Sequence, residues 1–172
     1  MNIDINEIIV LNEFCDHYEG LLEESERADF DTEIFQGVEF YDIAHYQSTE
    51  WAQKKLEQML RRPIEDIKCF FRLYRRGIAQ NTFIHEDSVI STHSAILSIQ
   101  LPGVWNGSLA FWEPFGPESK HDNEHDWRLI KEVDLVNNCC VIFPSKYWHS
   151  RMPQAWKKHY PRAIMAMFFN IP

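Results

Sequence analysis

No run of eighteen apolar residues occurs in the 172-residue chain, so a helical membrane span is not expected. The opening Met1-Asn2-Ile3-Asp4 lacks the basic and then apolar regions of a secretory leader. Cysteine is sparse: Cys15, Cys69, Cys139 and Cys140 are all there is, and the adjacent last two suit a disulfide framework poorly, so a reducing, cytoplasmic setting is expected. Positive charge is short as well. Lys and Arg number 17 against 26 Asp and Glu, and the net −9 repels a phosphate backbone and an anionic membrane. No Gly-, Pro- or Ser-rich tract and no internal repeat interrupts the chain, which sets aside disordered, fibrous and solenoid architectures.

What is present is a core. Hydrophobic residues make up 45% and aromatics 14% of the chain, enough for one domain with a β-rich interior. The sequence changes character near Pro63, and the expected organisation is a single domain over 1–172, with 1–66 as helical and strand support and 67–172 as the β-rich core. In the first part, Asn12 is placed to cap a helix over 13–22 whose Phe14, Tyr18, Leu21 and Leu22 share a face. A second helix is predicted to start at Ser48 or Thr49, to carry Trp51, Leu56, Met59 and Leu60, and to end at Arg61-Arg62 before Pro63.

From Ile67 onward, short β-branched or aromatic segments alternate with turn residues, the pattern of a sandwich or barrel. Strands are predicted near 68–76, 81–86, 94–101, 108–112, 139–143 and 162–169. Along Ser94–Leu101, Ala95, Leu97, Ile99 and Leu101 form an apolar face; Ser94, Ile96, Ser98 and Gln100 form a face too polar for plain core, and Ser98 and Gln100 become pocket candidates. His93 continues the apolar face and is read as structural. Residues 115–126 form a polar loop, either a flap or a solvated excursion, in which His121 and His125 sit among acidic residues.

The chemistry concentrates in His85-Glu86-Asp87 and a distant His149. Two imidazoles and one carboxylate occupy one face of an octahedral ion and leave three positions open, which suits non-haem Fe(II) better than zinc. By itself a His-x-Asp also fits a strand-end histidine beside an acidic turn. The order of the remaining segments adds to it: Phe70-Phe-Arg-Leu-Tyr-Arg-Arg-Gly77, His85-Glu-Asp87, Leu97-Ser-Ile-Gln-Leu101, Trp105-Asn-Gly-Ser-Leu-Ala-Phe-Trp112, Val141-Ile-Phe-Pro-Ser145, His149 and Pro161-Arg-Ala-Ile-Met-Ala-Met-Phe-Phe169. This series resembles the iron(II)/2-oxoglutarate-dependent oxygenases, and among them the prolyl-hydroxylase-like branch.

The resemblance implies a mainly β fold, a double-stranded β-helix (jelly-roll, cupin-like) barrel buttressed by N-terminal α-helices. It implies His85, Asp87 and His149 as ligands of Fe(II), and Arg162 as the partner of the far carboxylate of 2-oxoglutarate. An arginine suits that role because its planar guanidinium grips a carboxylate with two parallel hydrogen bonds. The interval from His149 to Arg162 is longer than the family pattern, which leaves Lys157 and Lys158 as rival partners. Tyr74 resembles a tyrosine that hydrogen-bonds the co-substrate, and fits equally as an aromatic packed in the sheet. The implied activity uses O2, with ascorbate as an accessory reductant, to hydroxylate an aliphatic C–H of a protein side chain such as proline, an amino acid or a small molecule. Two other readings stay open: a cupin-like barrel that binds a metal or ligand without turnover, and a nucleic-acid demethylase on the same barrel. The second is disfavoured by the net charge, although Arg151, Lys157, Lys158 and His159 read as a local basic patch.

Overall fold

In the computed structural model the strand over 162–170 lies in the middle of a large antiparallel sheet, and the molecule is built outward from it. The structure describes residues 3–35, 38–74, 84–100, 107–120, 123–152 and 162–172; the side chains of Tyr74 and Arg162 fall outside that description, as do Lys157, Lys158, His121 and the predicted strand residues 81–83. In chain order the strands are β1 (Ile9–Leu11), β2 (Asp31–Phe35), β3 (Val38–Tyr46), β4 (Glu65–Tyr74), β5 (His93–Ser98), β6 (Ser108–Pro114), β7 (Trp127–Asp134), β8 (Cys140–Pro144), β9 (His149–Met152) and β10 (Arg162–Asn170). Helix α1 (Tyr18–Arg27) follows β1, and α2 (Glu50–Leu60) follows β3. A seven-stranded sheet runs β1-β8-β5-β10-β4-β3-β2, and a three-stranded sheet runs β7-β6-β9.

Strand alternation divides the core in two. Between the sheets, Ile96, Val141, Phe143, Ile164, Ala166 and Phe168 of the large sheet meet Leu109, Phe111 and Val133 of the small one. On the outer side of the large sheet, Ala95, Leu97, Ile142, Met165, Met167 and Phe169 pack under both helices through Leu21, Leu56 and Leu60. Helix α2 presents Ala52, Leu56 and Leu60, four residues apart and all buried, which is the stripe an amphipathic helix needs to lie on a sheet. It stops where Arg61 turns left-handed, at φ 55°. Among the described residues no helix is long and apolar enough to cross a membrane.

Helix α1 begins later than the sequence pattern suggests. Glu13 is left-handed, at φ 54°, and the next two amides are drawn across to Asn138: Phe14 N–H donates to its carbonyl at 3.1 Å and Cys15 N–H to its Oδ1 at 2.8 Å. Those amides are spent on a long-range contact, so the helix starts beyond His17, and Asn12 caps nothing. β5 likewise ends at Ser98, short of the predicted Leu101. There the Tyr18 hydroxyl takes over the pairing, donating to the Gln100 carbonyl and accepting from the Gln100 amide, each at 2.7 Å.

Of the strands absent from the sequence reading, β1, β2, β7 and β9 are edge strands, short, or exposed along most of their length, whereas β3 is a nine-residue inner strand between β4 and β2. β7 shows the reason best: in Trp127–Asp134 only Trp127 and Val133 are buried, so no alternating pattern survives to be read.

Candidate metal centre

The centre forms where the two sheets part. His149 opens β9, and the segment carrying His85 is tied to it by a reciprocal backbone bridge: His85 N–H donates to the His149 carbonyl at 3.0 Å and His149 N–H to the His85 carbonyl at 2.8 Å. The alternation that points His85 toward the centre points Asp87 the same way. The Asp87 amide donates to the Ser145 carbonyl at 2.7 Å, and its own carbonyl accepts from Ile90 at 2.8 Å, which pins the backbone on both sides of the carboxylate. One ligand atom from each of His85, Asp87 and His149 lies within 4.8 Å of the others.

Asp87 and His149 are buried and His85 is half-exposed, so the cluster is closed on the barrel side and open on the other. His85 Nε2 stands 3.7 Å from Asp87 Oδ1, and His149 Nε2 3.3 Å from Asp87 Oδ2. The Tyr147 carbonyl lies 2.9 Å from His149 Nδ1. A carbonyl only accepts, so Nδ1 carries the proton and the lone pair of Nε2 faces the cluster, the tautomer a metal ligand requires. Phe143 and Phe111 wall the His149 ring at centroid distances of 4.8 and 6.4 Å. Burial by itself would push the Asp87 carboxyl up; when His149 and His85 are protonated, the hydrogen bond from His149 Nε2 and the two positive charges outweigh it and hold the group below the ordinary carboxylate value. Two nitrogens and an anionic oxygen, with one side open, fit a divalent first-row ion such as Fe(II).

Behind Asp87 runs a chain of buried hydroxyls that the sequence reading passed over. Ser94 Oγ donates to Asp87 Oδ2 at 3.4 Å and lies 2.8 Å from Ser145 Oγ; Ser145 Oγ lies 3.0 Å from Ser91 Oγ, which donates to the His93 carbonyl at 2.8 Å. The only signal for it in the sequence is a serine at an inward position where an apolar residue would fill the interior.

The other candidates sort by position. Ser98 is fully buried, and its hydroxyl donates to the Leu135 carbonyl at 3.2 Å. Gln100 Oε1 accepts from Ala163 N–H at 3.3 Å. Arg162 stands opposite Tyr74 in the β10–β4 register, on the same alternation as Ile164, Ala166 and Phe168 of the interior cluster. His93 is structural, as expected: its Nε2 donates to the Ile5 carbonyl at 3.1 Å and its Nδ1 lies 3.0 Å from Thr92 Oγ1. His125 is exposed in a short 3₁₀ turn (Glu124–Asp126) of the 115–126 loop. That loop is tied to itself, with Ser119 Oγ and Phe115 N–H both donating to the Asp126 carbonyl and Trp127 Nε1 to the Lys120 carbonyl. The Trp127 ring packs at 5.1 Å on Trp148, the neighbour of His149. Arg151 departs from the sequence reading: it is no part of a surface patch but 7% exposed, because β9 directs it inward.

No family model matches the sequence, and no curated protein is similar to it in sequence. Solved structures are similar in shape. A Pseudomonas putida prolyl-4-hydroxylase superimposes with a TM-score of 0.58 at 15% identity, over 97% of this chain and 94% of its own. A Trichoplax adhaerens prolyl hydroxylase in complex with a hypoxia-inducible-factor peptide gives 0.65 at 12% identity, over 95% of this chain and 83% of its own. The epimerase SnoN, in complex with Fe3+, alpha-ketoglutarate and nogalamycin RO, gives 0.54 at 9% identity, over 96% and 79%. The fold is therefore the jelly-roll barrel of the 2-oxoglutarate/Fe(II) oxygenases, with a His-Asp-His cluster at its open end.

Proposed function

We propose that the protein is an Fe(II)- and 2-oxoglutarate-dependent dioxygenase that hydroxylates an aliphatic C–H of a protein side chain such as proline, an amino acid or a small molecule. The observation that carries the reading is the convergence of His85, Asp87 and His149 within 4.8 Å, open on one side and backed by a histidine tautomer fixed for ligation. The same observation favours turnover over a barrel that only binds, since three protein ligands leave room on the ion for both co-substrate and O2. A peptide or small molecule is the expected substrate, and ascorbate the accessory reductant. Four free, buried cysteines suit a reducing cytoplasm.

With both bound, Fe(II) and 2-oxoglutarate supply the oxidant: O2 and the 2-oxo acid give succinate, carbon dioxide and one hydroxyl group on the substrate. His85, Asp87 and His149 hold the ion, two imidazoles and one carboxylate leaving it a single positive charge. Arg162 grips the far carboxylate of the co-substrate, with Tyr74, Ser98 and Gln100 beside it at the same end of the barrel. Phe111 and Phe143 keep water from the buried side of His149. The 115–126 loop, coupled to His149 through the contact of Trp127 with Trp148, serves as the flap on the exposed side.

The test is anaerobic Fe(II) binding together with succinate release. His85→Ala and His149→Ala are expected to lose both while remaining folded; full turnover in either overturns the ligand assignment. Arg162→Ala should bind iron yet need far more 2-oxoglutarate, because removing one partner of a buried charge pair costs about 2–5 kcal/mol. That phenotype in Lys158→Ala instead would move the clamp.

A further inference from the structure

Arg151 lies inside the barrel. It follows His149 by two residues on β9, so the alternation that turns His149 inward turns Arg151 inward as well. The register agrees: His149 stands opposite Phe111 and Arg151 opposite Leu109 on β6, and both partners belong to the cluster between the sheets. Val133, across from Leu109 on β7, closes the same layer. An arginine is rarely buried to this degree, and here only 7% of it is exposed.

Its depth relative to the metal centre follows from the opposite wall. On β5, Ser94 is hydrogen-bonded to Asp87 at the level of the ligands, whereas Ser98 donates to the Leu135 carbonyl one layer further in. β9 enters from His149 in that inward direction, because Leu109 lies nearer than Phe111 to the Gly107 end of β6, where Leu135 N–H bonds the Gly107 carbonyl. The rise of a strand places Arg151 about 7 Å beyond His149 along the barrel. A five-carbon 2-oxo diacid held at the metal by its keto end would be long enough for its other carboxylate to reach that layer.

We propose that Arg151 is a second guanidinium that grips the inward carboxylate of the 2-oxo diacid, in addition to Arg162; this rests on the functional reading above. A planar fork in a low-dielectric interior binds a carboxylate with two charge-assisted hydrogen bonds, and an apolar 2-oxo acid of similar length gains nothing from it. Arg151 thereby selects a diacid over a mono-acid.

The experiment is calorimetric titration of Mn(II)-loaded protein, without turnover, with 2-oxoglutarate and with 2-oxobutyrate, which lacks the far carboxylate. Arg151→Gln is expected to weaken 2-oxoglutarate roughly tenfold or more while 2-oxobutyrate stays within about twofold. Arg151→Lys, which keeps the charge without the fork and guards against a Gln variant that does not fold, should show a smaller loss with the same selectivity. Equal weakening of both acids, or 2-oxoglutarate affinity in either folded variant within about twofold of the parent, overturns the proposal. A parent protein that binds Mn(II) but neither acid overturns the functional reading itself, an outcome distinct from failure of Arg151 alone.

Discussion

Removing the Ser94 hydroxyl separates the metal centre from the fold that carries it. In Ser94→Ala, Asp87 Oδ2 loses a donor at 3.4 Å and Ser145 loses a partner at 2.8 Å but keeps Ser91 at 3.0 Å. Groups that orient a metal ligand are worth 10- to 100-fold in affinity, and a bond this long belongs at the low end, so Mn(II) or Fe(II) affinity should fall about tenfold, roughly 1.4 kcal/mol. The lost Ser94–Ser145 bond costs about 1 kcal/mol of stability, a fall in Tm of about 2–4 °C for a chain of this size. Ser145→Ala reverses the balance: the one Ser145 proton shared between Ser94 and Ser91 goes, so the cost falls on stability, while Ser94 still reaches Asp87 and the metal is less affected. Isothermal titration with Mn(II) and thermal unfolding of the metal-free protein read the two quantities separately. Should Ser94→Ala lower Tm as calculated and bind metal like the parent, the hydroxyl chain packs the interior and does not hold Asp87.

Three further outcomes follow from contacts already described. Asn138 is left-handed at φ 56° and clamps Cys15 through Oδ1 at 2.8 Å and Nδ2 at 3.0 Å; urea unfolding should show Asn138→Ala destabilised by about 3 kcal/mol, two bonds plus backbone strain, and Asn138→Gly by about 1 kcal/mol less. Burial holds His93 below its ordinary value, with the nearby Lys146 charge adding to the effect and the bond to Ile5 opposing it. As the pH drops below about 6.5 the unfolded chain takes up a proton that the native state refuses, so stability falls until the folded value is passed, and His93→Gln should lose less stability than the parent between about pH 7.5 and 5.5 in urea titrations. Replacing residues 116–124 by a short Gly/Ser linker should leave substrate-free decarboxylation of 2-oxoglutarate intact and reduce oxygen incorporation into a peptide pool read by mass spectrometry; unchanged incorporation would make the loop a solvated excursion.

The parts of the molecule legible from sequence were those where a residue's type answers to one neighbour. His85, Asp87 and His149 announce themselves by ligand chemistry, and Ala52, Leu56 and Leu60 by a helical stripe on one sheet. The rest depends on partners far along the chain. Nothing near Asn12 reveals that Asn138 will take the amides of Phe14 and Cys15 and delay α1 to Tyr18. Arg151 reads as surface charge among Lys157, Lys158 and His159 until β9 is paired with β6, because four residues such as His149–Met152 are too few to carry an alternating pattern of their own. Ser94 and Ser145 read as polar positions on strands, and only the packing of β5 beside β8 turns them into one chain of hydroxyls.

The central place of β10 governs how such a chain is made. β4 and β5 are not paired with each other; each is paired with Arg162–Asn170. Without β10 the large sheet would fall into two halves, β1-β8-β5 and β4-β3-β2, each showing a bare edge. Bare edges recruit other chains, and pairings this distant in sequence close slowly. A chain cut before Arg162 would carry every metal ligand and no closed sheet to hold them, so the two bare edges, and with them the metal centre, are secured together by the one strand that threads between β4 and β5.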